Sequence, residues 1–224
     1  GSGGLGYRIV LKVDDTFDLY RITGLVSSPP GCTFNPQSGW GTWSINTQIF
    51  LANYPLPANG IIFAEDHVWV EGQINTARVT IASGRFPEAA ATNTNIIVNE
   101  NLRYTNFDGS DNIGLIAQNN FLIGLRNADN LRVDAALIAK NGGTIRYYYR
   151  SQCGVGYIRN SLFLFGSTAS NQQGYFAYAD GGGNIVSGYQ NQTASYDANL
   201  LYAPPPSFPL TSDQYSTLAW EEVK

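Results

Sequence analysis

From residue 61 onward the chain is a succession of short apolar runs, each of four to six residues and each closed by Gly or Asn. They begin with Ile61-Ile62-Phe63-Ala64, Val68-Trp69-Val70-Glu71-Gly72 and Arg78-Val79-Thr80-Ile81-Ala82. They continue through Ile113-Gly114-Leu115-Ile116-Ala117, Phe121-Leu122-Ile123-Gly124 and Leu131-Arg132-Val133-Asp134 to Leu162-Phe163-Leu164-Phe165-Gly166. Runs this short, bounded by turn residues, read as strands. Two segments nearly repeat: Gly114-Leu115-Ile116-Ala117-Gln118-Asn119 and Ala136-Leu137-Ile138-Ala139-Lys140-Asn141 lie 22 residues apart, and Leu164 follows Leu137 by 27. That spacing suits one coil of a parallel β-helix. An antiparallel sandwich also shows many short strands, but the near-repeat and the scarcity of tight hairpin turns favour the solenoid. Stacked coils should then carry Val70, Leu115, Leu137 and Leu164 inside. Asn99, Asn101, Asn119, Asn141 and Asn171 follow strands and predict left-handed corners.

The first part of the chain differs. Tyr7 to Val13 and Phe17 to Ile22 are rich in β-formers and flank Asp14-Asp15, which predicts a hairpin. A loop, Ser27-Ser28-Pro29-Pro30-Gly31-Cys32, precedes a short strand flanked by Trp40 and Trp43; Tyr54-Pro55-Leu56-Pro57-Ala58-Asn59-Gly60 reads as an extended linker. With Gly1-Ser2-Gly3-Gly4 set aside as a leftover of expression, the division is a β lead-in over 5–59 and a β-solenoid over 60–224. The prolines at 204, 205, 206 and 209 bar the tail from strand pairing, so it should cap or overlie the solenoid, and Leu218 to Lys224 forms a candidate returning strand. The expected fold is therefore all-β: a parallel β-helix with an N-terminal β lead-in and a Pro-rich C-terminal cap.

Composition agrees. Of 224 residues only 13% are charged, against 24 Gly and 14 Tyr, a mix that suits strands and turns and not surface helices. No apolar run approaches the roughly 20 residues of a membrane span, so no membrane contact is expected of this chain itself. Cys32 and Cys153 form an even pair in a Lys-poor chain, which fits one disulfide in an oxidising, extracellular setting; two buried thiols are the alternative.

Charge brings in a candidate chemistry. The net charge of −4 gives no general attraction for nucleic acid. Yet Arg103, Arg126, Arg132, Lys140, Arg146, Arg150 and Arg159 gather seven of the thirteen basic residues, against four acids in the same stretch. Period-two geometry puts Ile145, Tyr147 and Tyr149 on one face of their segment and Arg146, Tyr148 and Arg150 on the other. Turned outward, that Arg-Tyr-Arg row offers phosphate partners around an aromatic ring. The same residues, scattered, would only solubilise the surface. Asp108, Asp111 and Asp134 are the carboxylates to consider for catalysis, but the first two sit in a polar turn and Asp134 suits an ion pair with Arg132. His67 is the only histidine. No catalytic residue, metal site or cofactor is expected, and Trp69 should project outward between inward Val68 and Val70.

One resemblance adds to this. The runs Val68-Trp69-Val70-Glu71-Gly72, Gly114-Leu115-Ile116-Ala117 and Asp134-Ala135-Ala136-Leu137-Ile138-Ala139 carry it. So do the ending Tyr196-Asp197, Leu200-Leu201-Tyr202-Ala203-Pro204-Pro205-Pro206, Phe208-Pro209 and Trp220-Glu221-Glu222-Val223. Together they resemble the β-solenoid domains of bacterial surface proteins with PilX-like pilin N-termini. Among these the chain is similar to the solenoid insertion of ComZ-type, competence-associated minor pilins. The resemblance implies a non-enzymatic domain of a type IV pilus at the cell surface. It also implies other pilins as partners through the parent chain and, more loosely, extracellular double-stranded DNA as ligand. Arg103, Arg126, Arg132, Lys140, Arg146, Tyr148, Arg150 and Arg159 are the candidate contacts. An adhesin, a glycan binder or a structural spacer is the alternative.

Overall fold

A computed structural model describes residues 1–32 and 41–208; Trp40, Pro209 and the expected returning strand Leu218–Lys224 lie outside the described residues. The fold is all-β. Fifteen strands form one mixed sheet that curls on itself, and the described residues hold two short 3-10 turns and no α-helix.

The lead-in is an antiparallel meander of β1 (Gly6–Leu11), β2 (Thr16–Leu25) and β3 (Ile45–Pro55). Its first turn is the Asp14-Asp15 pair, with Asp15 at φ 59°, a conformation that the short Asp side chain tolerates. β3 is longer than the sequence suggests, because it extends along β2 as far as Pro55 and takes in the start of the expected linker.

β1 also pairs in parallel with β5 (Val68–Ile74), so the meander and the remaining strands share one sheet. Beyond β5, pairing is parallel until the last short hairpin. One column adds β8 (Leu102–Tyr104), β11 (Asn130–Ala139), β13 (Ile158–Ser170) and β15 (Ile185–Tyr196). A second runs β4 (Ile61–Ala64), β6 (Arg78–Ser83), β9 (Asn112–Ala117) and the later half of β11. A third runs from the start of β5 through β7 (Ile96–Ile97) and β10 (Phe121–Ile123) to β12 (Thr144–Arg146). A short β14 (Ala177–Ala179) closes the sheet antiparallel to β15.

The near-repeat in the sequence is a register: Gly114, Leu115, Ile116 and Ala117 lie opposite Ala136, Leu137, Ile138 and Ala139. Leu115 and Leu137 therefore stack, with Ile81 and Ile62 above them. Val70 and Leu164 do not join that column. Val70 lies beside Ile9, and Leu164 lies between Val133 and Ala194. The spacing of 27 from Leu137 to Leu164 misses because β11 and β13 are offset by 31, Asn130 facing Ser161. The asparagines also work differently from expectation. Among the described residues no Asn has positive φ. Asn101 Oδ1 instead accepts from Arg132 N at 2.8 Å and Asn141 Nδ2 donates to Gln118 O at 2.8 Å, and other asparagines link strand ends in the same way, as Asn160 Nδ2 does to Asn130 Oδ1 at 2.6 Å.

The sheet has two apolar faces. The inner one encloses the larger core, where Ile9, Val70, Leu102, Leu115, Leu131 and Leu137 meet. The outer face of the third column carries a second core, a ladder of Trp69, Ile97, Leu122 and Ile145 in register. The lead-in covers it with Ile22 and Cys32. The disulfide Cys32–Cys153 ties this cover down across 121 residues, both cysteines being buried. Trp69 does point outward, but into this second core, where its Nε1 donates to the carbonyl of Trp43 at 3.0 Å.

The proline-rich tail runs back over the outer face of β6 and β9. Thr80 Oγ1 donates to Pro206 O and Asn112 Nδ2 to Ala203 O, each at 2.5 Å. Phe208 lies against Gly114, where a Cβ would stand 2.8 Å from the ring, so glycine is needed there.

Candidate functional site: a polar cleft on the outer face

Strand parity splits β1. Tyr7, Ile9 and Leu11 face inward, which leaves Arg8 outward beside Tyr20 of β2, and the Arg8 guanidinium lies 5.2 Å from that ring centroid. On β5 the same outer face carries Glu71, which forms an ion pair with Arg8. Asn46 and Gln48 come from the start of β3, Asn99 and Glu100 from the bend between β7 and β8, and Arg126 from the bend after β10. Together they line a cleft of about 370 Å³.

Its walls are fixed by backbone bonds. Asn99 Nδ2 donates to Trp43 O at 2.8 Å and its Oδ1 accepts from Gly124 N at 2.7 Å. Arg126 N donates to Ser44 Oγ at 2.8 Å. The lining balances two arginines against two glutamates and adds three carboxamides, so it offers donors and acceptors without net charge. Desolvation pushes the Glu100 carboxyl above its ordinary value, and the Glu71 charge pushes the same way against Arg8 and Arg159. Arg8 Nε and Gln48 Oε1 are shielded from solvent and lack hydrogen-bond partners, although the Arg8 guanidinium is held by Glu71 through its other nitrogen. Phe50, two residues beyond Gln48 on the same face, is 54% exposed and packs edge-on against Tyr20 at 5.3 Å.

The basic residues singled out from the sequence do not form one surface. Arg146 is 0% exposed and must be struck from any binding stripe. Ile145, Tyr147 and Tyr149 do share a face, but it is the opposite one from that expected, and the strand itself ends at Arg146. Ile145, Tyr147 and Tyr149 face the outer core beneath the disulfide, which turns Arg146 inward opposite Ile123. There its guanidinium donates to the carbonyls of Gly156 and Tyr157 and lies 4.8 Å from the Tyr149 ring centroid. Arg132 pairs with buried Asp134 at 2.8 Å and lies between the rings of Phe107 and Phe163. Lys140 pairs with Glu88, and Arg159 donates to Asn127 Oδ1 at 2.7 Å and approaches Asp129 at 4.0 Å. Tyr148 packs edge-on against Tyr178 at 5.1 Å, and Arg150, two residues on, is half-buried. Arg103 and Arg126 are exposed and form no ion pair among the described residues; Arg126 belongs to the cleft.

The other candidates are structural. Asp111 accepts from the backbone N–H groups of Ala77, Thr105 and Asn106, and Asp108 accepts from Ser110. His67 Nδ1 accepts from Asn95 N at 2.9 Å, and burial, aided by the Arg85 charge and opposed by Asp66, holds its pKa down to about 4.

Sequence reasoning missed Arg8, Glu71 and Glu100. Their one signal was a single charge within or beside an otherwise apolar strand, as in Tyr7-Arg8-Ile9 and Val70-Glu71-Gly72. Comparison with family models, with curated proteins and with solved structures gives no match to this chain.

Proposed function

We propose that this chain is a non-enzymatic, extracellular recognition domain built as a parallel β-solenoid, and that it binds a neutral glycan in the outer cleft. The parallel columns and the in-register repeat support the solenoid reading. The disulfide supports an oxidising compartment outside the cytosol. The resemblance to competence-associated pilins supports a place on a bacterial type IV pilus, with the parent chain meeting the other pilins.

The cleft's balanced lining carries the choice of ligand. A polyanion favours a surplus of positive charge, whereas sugar hydroxyls both donate and accept and need groups of both kinds. Phe50, exposed on the same face of β3 two residues from Gln48, offers an aromatic ring for the apolar side of a pyranose. Screening on a glycan array, followed by titration, tests this. Glu100→Gln and Arg126→Gln should each weaken the best glycan by about tenfold, and added salt should change its affinity little. No bound glycan, or variants that bind as well as the parent, would remove the reading.

A second reading, double-stranded DNA held by its phosphates, rests on exposed Arg103 and Arg126. Two such contacts would give a slope of log K against log salt of about −2. A salt titration therefore separates the two.

A further inference from the structure

On the opposite side of β1 from the polar cleft, the first core ends in an open pocket of about 400 Å³. The rings of Tyr7, Phe17, Tyr54 and Phe63 line it above a floor that includes Ile9. The floor belongs to the packed inner core, so the pocket is preformed. Phe17 and Tyr54 lie 5.7 Å apart between centroids, while Tyr54 and Phe63 remain 45% and 51% exposed at the rim. Phe86 stacks behind Phe63 at 6.3 Å and extends that wall outward.

The one charged side chain among the lining residues is a carboxylate, Glu65. Aromatic faces present negative potential, and a carboxylate at the rim adds to it. A neutral apolar ligand would draw on the rings alone. A methylated ammonium draws on rings and carboxylate together, because its methyl groups fill apolar space while its charge stays unsatisfied by hydrogen bonds.

We propose that this pocket is a binding site for a quaternary ammonium group of the choline type, separate from the outer cleft and independent of the glycan reading. The probe is choline itself, compared with its uncharged carbon isostere, in which a tert-butyl group replaces the trimethylammonium. Proton NMR titration of the intact chain should show choline shifting the ring resonances of Tyr54 and Phe63. The isostere should bind about tenfold more weakly. Glu65→Gln should weaken choline several-fold and leave the isostere unchanged, and Phe63→Leu should weaken choline more than the isostere. Both substitutions are at exposed positions, and circular dichroism checks that the fold persists. Equal binding of choline and its isostere would show an apolar cavity without cation selectivity and overturn the proposal. So would the absence of ring shifts with choline.

Discussion

The two cores of this protein are built on opposite faces of the same strands and by different means. The inner core is made by repetition. Each parallel strand lays an apolar residue over its counterpart on the strand before, as Ile62, Ile81, Leu115 and Leu137 do, and the loss of one contact leaves the others in place. The outer core is made by a cover. A single ladder of Trp69, Ile97, Leu122 and Ile145 is closed by a lead-in segment from the far end of the chain and tied by one disulfide. Repetition makes a core tolerant; a cover makes it depend on a few long-range ties. The polar cleft lies where that cover meets the sheet, so the proposed recognition site sits beside the part of the fold with the least redundancy.

Breaking the tie is the strongest way to test the contrast. Loss of the Cys32–Cys153 bond, by reduction or Cys→Ser replacement, should lower stability by up to about 5 kcal/mol for so long a loop. Amide exchange should rise first in β2, in β3 and around Trp43, while β9 and β11 stay protected. Uniform exchange would mean the two cores open as one.

Trp69→Ala should cost about 3–5 kcal/mol, because it removes a fully packed ring from the outer ladder together with its hydrogen bond. Leu137→Ala in the repeated core should cost about 2–5 kcal/mol. Urea denaturation measures both. The contrast sharpens if only the first changes the cleft's ligand affinity.

Acid should act through His67. The fold keeps this side chain neutral down to about pH 4, whereas the unfolded chain protonates near 6.5. Stability is therefore complete above pH 6.5 and falls as pH drops toward 4, by about 3 kcal/mol in all. Asp66 and Arg85 are the charges facing it. His67→Asn, which can keep an acceptor for Asn95 N, should flatten stability across that window in a pH series of urea titrations.

The smallest effect belongs to the strand-end ladders. Asn160→Ala removes the bond to Asn130 and one accepted from Asn191, exposed contacts worth about 1 kcal/mol or less.

Much of the inner core was legible because repetition writes itself into sequence. The pair of runs ending in Asn119 and Asn141 named its own register, and Asp14-Asp15 named the first hairpin. Cys32 and Cys153 were readable as a pair from count and composition alone. The outer core was not legible, because nothing near Ile145 says that a segment more than a hundred residues earlier will cover it. That is why Arg146 was placed on the wrong face, even though the alternation of its neighbours was read correctly. The cleft was hidden for the same reason. Arg8, Glu71, Glu100 and Arg126 come from four separate elements, and only the parallel pairing of β1 with β5 brings the first two together.

The central claim, that the outer cleft is where this domain recognises its ligand, is tested most directly by isotope-edited chemical-shift mapping with the best neutral oligosaccharide from the array. The account predicts shifts confined to Asn46, Gln48, Glu71, Asn99, Glu100, Arg126 and the Phe50 ring, nearly unchanged when salt is raised. Shifts centred instead on Arg103, outside the cleft, or none in the cleft at saturating ligand, would contradict it.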